Sequence, residues 1–313
     1  MLTPDQSSRA VAAILGMASG DALGAGYEFG PPLAAGTKVG MVGGGVFDWA
    51  PGEWTDDTSM AFPLLAELAA GNDLRDEATL DSVCTAWITW AATAQDVGNQ
   101  VRAVLSASQP TASAVRASAV RASAALFTSG NPRAAGNGSL MRTAPVALGY
   151  LDDRAALIAA ARAVSELTHP DPDAVDACII WCELIRTAIL TGLYDLDGAL
   201  ESIANRDVWR ARFDEAEAQQ PVFFSNNGWV VHAIQAAWSA IAHTPEEPSQ
   251  LRIALETIAR SGGDTDTVAA IAGGLLGARW GTAAIPAHWR SAIHGWPSST
   301  ADDLERLALA AVS

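Results

Sequence analysis

Residues 7–24, SSRAVAAILGMASGDALG, put Gly16, Gly20 and Gly24 four positions apart, so a helix drawn through them carries a smooth stripe along one face. Glycine costs a helix interior about 0.8–1.0 kcal/mol relative to alanine. Three on one face imply a neighbour whose backbone approaches closely. Residues 266–279, DTVAAIAGGLLGAR, carry a matching stripe in Gly273, Gly274 and Gly277. The two faces are expected to meet helices near the core and to draw the two ends of the chain together.

Outward from these segments the periodicity stays helical. Helices are predicted over 7–24, 58–71, 77–92, 97–108, 113–128, 139–150, 154–168, 173–191, 196–204, 207–218, 228–243, 248–260 and 266–279, many after a Ser, Thr, Asp or Asn cap. Lys38–Val42 is the best strand candidate and is too short to carry a sheet. An all-α, compact orthogonal multi-helix bundle follows. No composition break or charged linker divides it, so residues 1–313 are read as a single domain. Residues 30–52 read as a long Gly- and Pro-rich loop of the functional kind. The tandem Ala-Val-Arg-Ala-Ser at 114–118 and 119–123 reads as an ordinary surface helix.

Half of the 313 residues are hydrophobic, and the formal charge is −16. That excess of acid opposes non-specific nucleic-acid binding, which needs Lys and Arg to displace counterions. It leaves room for one small anionic ligand if local positive charge is supplied. Cys84, Cys178 and Cys182 are odd in number and lack metal-ligand spacing, which suits a reducing cytoplasm. The apolar run Ala10–Leu15 is short and closes on glycine-rich sequence containing Asp21, and Thr267–Ala278 is too short to cross a bilayer. A soluble chain with no membrane partner is expected.

Two acidic clusters stand where apolar helices begin: Thr55-Asp56-Asp57-Thr58 and Asp264-Thr265-Asp266-Thr267. Asp and Thr are good helix caps, and acid at a helix N-terminus contributes about 0.3–1 kcal/mol. One cap needs one such residue, however, and adjacent carboxylates repel unless a cation lies between them. Hard oxygen donors without His or Cys suit Mg²⁺, Mn²⁺ or Ca²⁺. If folding joins the clusters, they make a di-metal site. On position alone, Asp21 is a buried polar group or a helix-end residue, and Glu28 a solvated loop charge. Gly136-Asn137-Gly138-Ser139-Leu140-Met141-Arg142 is a glycine-rich turn entering a helix, a weak phosphate cradle. His169 in Thr-His-Pro-Asp-Pro and Asp96 in Asp-Val-Gly-Asn sit at helix junctions where structural roles are commoner.

Taken in order, GMASGDALGAGYEF, GEWTDDTSM, DVGN, GNGSLMRTAPVAL, THPDPDAVDA, NNGWVVHAIQAAW and GGDTDTVAAIAGGLLGA resemble the ADP-ribosylglycohydrolase family, including the dinitrogenase reductase-activating glycohydrolases. The resemblance spans nearly the whole chain, and GEWTDDTSM and GGDTDTVAAIAGG are its most specific parts. It implies an all-α fold with a central cleft holding a binuclear Mg²⁺ or Mn²⁺ centre. The implied ligands are Thr55, Asp56 and Asp57 from one side, with Asp264, Asp266 and Thr267 from the other. Glu28 is implied to close over the metals and, with Asp57 and Asp96, to serve catalysis. Asn99, Gly136, Asn137, Gly138, Ser139, Met141 and His169 are implied to bind the diphosphate and its ribose. DVGNQ stands where DIGNT is commoner, and THPDP where THGDP is commoner; the second puts a rigid proline after His169.

The implied activity is hydrolysis of the glycosidic bond between ADP-ribose and an acceptor, arginine on a modified protein first of all. ADP-ribosyl-serine, O-acetyl-ADP-ribose and α-NAD are alternative substrates, and a non-catalytic ADP-ribose-binding protein is a rival on the same scaffold. A monomer is expected.

Overall fold

The structure, a computed structural model, describes residues 1–34, 36–108, 116–131 and 134–313. Its helices are α1 (Pro4–Gly24), α2 (Asp56–Ala69), α3 (Glu77–Ala91), α4 (Asn99–Ala107), α5 (Ala117–Gly130), α6 (Ala144–Leu148), α7 (Arg154–Glu166) and α8 (Pro172–Thr191). They continue with α9 (Leu196–Leu200), α10 (Arg206–Ala218), α11 (Val230–Ala242), α12 (Gln250–Ser261), α13 (Thr265–Trp280), α14 (Ala287–Ala292) and α15 (Ala301–Ala311). The one sheet among the described residues is a two-stranded antiparallel ribbon, β1 (His294–Gly295) with β2 (Ser299–Thr300). The all-α expectation holds.

α1 starts in a capping box: Thr3 Oγ1 accepts from the Gln6 N–H, while Gln6 Oε1 accepts from the Thr3 N–H. From Ala10 to Ala25 every residue of α1 and its extension is buried. Its closest partner is α13, and glycine explains the contact. A Cβ on Gly16 would run into the carbonyl of Gly273, and one on Gly20 into the carbonyl of Ala269. Gly277 reciprocates against Ala12. Gly274 is the exception, facing Ala144 and Ile185 instead. On length and composition alone Pro4–Tyr27 would suffice for a membrane crossing, but 89% of its apolar window is buried inside the fold.

Several boundaries differ from expectation. Of 139–150 only Ala144–Leu148 is helical, because Pro145 fixes the first turn and the glycine-rich stretch before it turns instead. The helix expected from 196 to 204 stops at Leu200. The helix expected at 113–128 runs Ala117–Gly130, and residues 113–115, with the first two residues of the tandem repeat, lie outside the described residues. Lys38–Val42 forms no strand. The sequence reading stopped at 279 and missed α14, the ribbon and α15, although Thr300 and Asp303 form a capping box and Ala301, Leu304 and Ala308 bury one face.

The loop after α1 is pinned to the start of α13. The Phe29 N–H donates to the Gly263 carbonyl at 2.7 Å, and the Gly263 N–H returns a bond to Gly30. Arg260 Nε donates to the Thr37 carbonyl, and the Tyr27 hydroxyl to that of Gly40. The loop is thereby tied to the segment that leads into the second acidic cluster.

Candidate metal centre and cleft

The glycine seam ends where the chemistry begins. Gly24 lies against the backbone of Asp266, and the Thr265 hydroxyl donates to the Gly24 carbonyl at 2.9 Å. Asp21, one turn earlier on α1, reaches across to α2. Its Oδ1 accepts from the Thr55 N–H at 2.8 Å, and its Oδ2 from the Thr58 N–H at 2.9 Å and hydroxyl at 2.6 Å. Asp21 therefore caps α2 from another helix, which leaves that helix's own acids free. Thr55 and Asp264, at the cap positions of α2 and α13, make no side-chain cap bond. Capping of α2 falls to Asp21, so it does not account for Asp56 and Asp57.

The clusters converge. Thr55 Oγ1 lies 2.9 Å from Asp57 Oδ2 and 3.3 Å from Asp266 Oδ2, a residue 211 positions away. Asp21, Asp57 and Asp266 bring carboxylate oxygens within 4.8 Å of one another, and so do Glu28, Asp264 and Asp266. Asp57 Oδ1, Asp266 Oδ1 and Glu28 Oε2 are buried with no hydrogen-bond partner. Such groups are costly to bury unless paired. Burial lifts Asp56, Asp57 and Asp266 well above the ordinary carboxylate range, with neighbouring acids adding to it. Glu28 is pushed up to about 9 by burial and then by Asp264, Asp96 and Asp56, and Asp21 to about 6 by burial. Glu28 is thus no solvated loop charge; it is 6% exposed. Orphaned hard oxygens in two groups that share Asp266 fit divalent cations, with Asp21 in a supporting position.

Above these acids lies a cavity of about 460 Å³. Glu28, Asp56, Asp96, Asn99, Gly136, Asn137, Gly138, Met141, His169, Asp264 and Thr267, all singled out in the sequence, line it. Thr55, Asp57 and Asp266 are buried without lining it. Ser139 departs from expectation: its hydroxyl is buried, accepts from Ser165 at 2.9 Å and lies 3.4 Å from the Cys178 thiol. The turn from Gly136 to Met141 also lacks the helix N-terminus expected at 139, so any anion there meets a turn.

The sequence reading missed Asn227. Its Oδ1 accepts from the Asp264 N–H at 3.0 Å, while Asn137 Nδ2 donates both to the Asn227 carbonyl and to Asp264 Oδ2. Asn227 and Asn137 together aim Asp264; the Asn-Asn-Gly before α11 was the available signal. Phe29 and Phe47 also line the cavity and pack edge to face, with centroids 6.4 Å apart.

His169 is buried at the cavity wall in spite of Pro170. Arg142, fully buried over the Trp87 ring at 4.0 Å, donates to Thr168 Oγ1 at 2.8 Å. Thr168 Oγ1 lies 2.8 Å from His169 Nδ1. A guanidinium only donates, so the hydroxyl hydrogen is free for Nδ1, and we assign the ring proton to Nε2 on that network. Burial and Arg142 push His169 down to about 3, so the ring stays neutral. A Cβ on Gly138 would lie 2.9 Å from the ring's Cε1, and the glycine leaves the imidazole face open.

Residues 2–313 match the ADP-ribosylglycohydrolase family. The chain is 31% identical over 300 residues to the ADP-ribosyl-[dinitrogen reductase] glycohydrolase of Rhodospirillum rubrum, covering 94% of this chain and 92% of that one. It is 30% identical over 300 residues to the ADP-ribosylarginine hydrolase Tri1 of Pseudomonas putida (strain GB-1), covering 92% and 75%. A solved ADP-ribosylglycohydrolase-related protein complex contains a chain that superposes with TM-score 0.72 at 28% identity, covering 99% of each.

Proposed function

The chain belongs to the ADP-ribosylglycohydrolase family, and we propose that it hydrolyses the bond between ADP-ribose and the arginine of a modified protein. One observation carries this reading: hard oxygens from both ends of the chain converge, partly unpaired, beneath a cavity walled by a neutral histidine and small glycines. The relatives' names supply the acceptor, arginine in one and a modified reductase in the other.

Thr55, Asp56, Asp57, Asp264, Asp266 and Thr267 would hold two Mg²⁺ or Mn²⁺ ions, the aspartates at 57, 264 and 266 belonging to the two clusters of converging carboxylates. When bound, these ions supply positive charge for the ribose hydroxyls and lower the pKa of a water. They also offset the −16 charge that would repel a diphosphate. Glu28 is the proton carrier: burial and its acidic neighbours keep its carboxyl protonated near neutrality, at the edge of the cavity. Asp96 in the cavity wall faces the positive charge that develops on the ribose as the glycosidic bond breaks. The His169 Nε2–H and the turn at Gly136–Met141 hold the diphosphate and its ribose, with Asn99 at the rim. Asp21, Asn137, Asn227 and the Arg142–Thr168 pair position these groups. The chain works as one domain and a monomer in the cytoplasm, consistent with three unpaired buried thiols.

The test is release of ADP-ribose from an arginine-modified protein with Mn²⁺, with chelator, and in Asp57→Ala and Asp266→Ala. Turnover should require the cation and vanish in both variants. Full activity in chelator, or in either variant, refutes the reading.

A further inference from the structure

Beside the cavity lies a second, smaller chamber of about 180 Å³ that the reading above does not use. Asp56 and Asp96 line both, so these two residues form the partition between them. The composition of the small chamber is unlike its neighbour's. Four indoles wall it: Trp49, Trp54, Trp90 and Trp296. Glu53 joins Asp56 and Asp96 as a third carboxylate, and no Lys or Arg is among the lining residues. Trp54 is held there by its Nε1–H on the Trp296 carbonyl at 3.2 Å, while Gly295 gives the ribbon room to lie against its ring. Trp49 is 7% exposed, and its indole N–H has no partner. Thr93 and Gln95 at the rim are exposed.

Indole faces and carboxylates in a partly desolvated space favour a planar cation. A guanidinium meets both, stacking on a ring while its N–H groups reach Asp96 and Glu53. A serine or acetyl acceptor would bring no cation to the indole walls and the acidic side chains among them. The geometry points to this tryptophan chamber as the leaving-group site for peptidyl arginine, with ADP-ribose in the large cavity and the scissile C–N bond at Asp96. The assignment deepens the proposed function and rests on it. On cleavage, water adds to the ribose carbon, and the guanidine nitrogen leaves into the chamber with a proton.

The experiment exchanges charge at the exposed rim and reads two substrates. Gln95→Arg should raise KM for ADP-ribosyl-arginine roughly fivefold, and Gln95→Glu should lower it by a similar factor. Neither should move KM for O-acetyl-ADP-ribose or the dissociation constant of ADP-ribose. Agmatine, titrated onto the Mn²⁺-loaded protein with ADP-ribose present, should quench tryptophan fluorescence, and Trp296→Leu should weaken that binding at least tenfold. Equal shifts for both substrates, no shift for either, or unaltered agmatine binding in Trp296→Leu would overturn the chamber while leaving the proposed hydrolase intact. Parent protein that cleaves O-acetyl-ADP-ribose but not the arginine linkage would remove the chamber and the arginine reading together. Parent protein that cleaves neither would end the proposed function itself.

Discussion

Removing cations from this protein and raising the pH should destabilise it, and restoring the cation should reverse the effect. Glu28 rises from 4.5 to about 9 on folding in the metal-free state. Its folded-state pKa is the higher one, so its contribution is fully present below about pH 4.5 and is lost as pH climbs toward 9. Between pH 6 and 8 the unfolded chain has released this proton and the folded chain still holds it. That difference of one proton costs about 1.4 kcal/mol per pH unit, or roughly 2.7 kcal/mol across the interval. Asp56, Asp57 and Asp266 are raised in the same direction and add to the loss. With an unfolding entropy of about 2.1 cal/mol/K per residue, 313 residues give roughly 0.66 kcal/mol/K, so Tm should fall by at least about 4 °C.

A divalent cation at about a hundred times its Kd returns about 2.7 kcal/mol, again near 4 °C. Because binding displaces protons, the gain should be larger at pH 8 than at pH 6. The assay is a thermal melt at both pH values in chelator, in Mn²⁺ or Mg²⁺, and in KCl of matched ionic strength, since any salt screens a −16 surface. A chelated protein whose Tm holds steady or rises from pH 6 to 8, or a cation gain matched by KCl, refutes the argument.

Other expectations concern the supporting residues. Thr168→Val should weaken ADP-ribose binding roughly five- to twentyfold, from the loss of one fixed donor; Thr168→Ser should recover most of it, and ring ¹⁵N shifts should report the Nε2–H tautomer only in the parent and Thr168→Ser. Asp21→Asn should turn an amide toward the Thr58 N–H and cost about 2–4 kcal/mol in chemical denaturation, with loss of the cation-dependent Tm gain. Gly20→Ala should force a methyl into the Ala269 carbonyl and cost about 1–3 kcal/mol, lowering Tm by a few degrees with the cation gain retained; an unchanged Tm would show that the seam can open cheaply.

How far the site was legible depended on whether chemistry or geometry encoded it. Asp56, Asp57, Asp264 and Asp266 stood out because four stacked cap-type residues exceed what any cap requires. The glycine stripes announced close helix contacts near the core, because a missing Cβ is a direct statement about approach distance; that α1 and α13 are each other's partners came from the fold. Glu28 was less visible, since a loop position says nothing about burial, and only the fold brings Asp264 and Asp96 near it. Asn227 was harder to see for a similar reason: the Asn-Asn-Gly before α11 marks a turn, but only the fold shows that its side chain holds the Asp264 N–H and its carbonyl the Asn137 amide. Ser139 looked like a cradle residue because glycines flank it, yet its hydroxyl is spent on Ser165 in the core. The missed C-terminal helix is different, for its capping box and apolar spacing were there to be read.

The seam between α1 and α13 also says something about the order in which the molecule comes into being. Its two halves are separated by nearly the whole length of the polypeptide, so the first helix leaves the ribosome long before its partner exists. Until then its glycine face has nothing to lie against, and Asp57 stands without Asp266. The contact demands closure of a very large loop, which places the finished site late in folding. Any release of the chain upstream of Asp264 yields a polypeptide that keeps half of its oxygen donors and none of their counterparts.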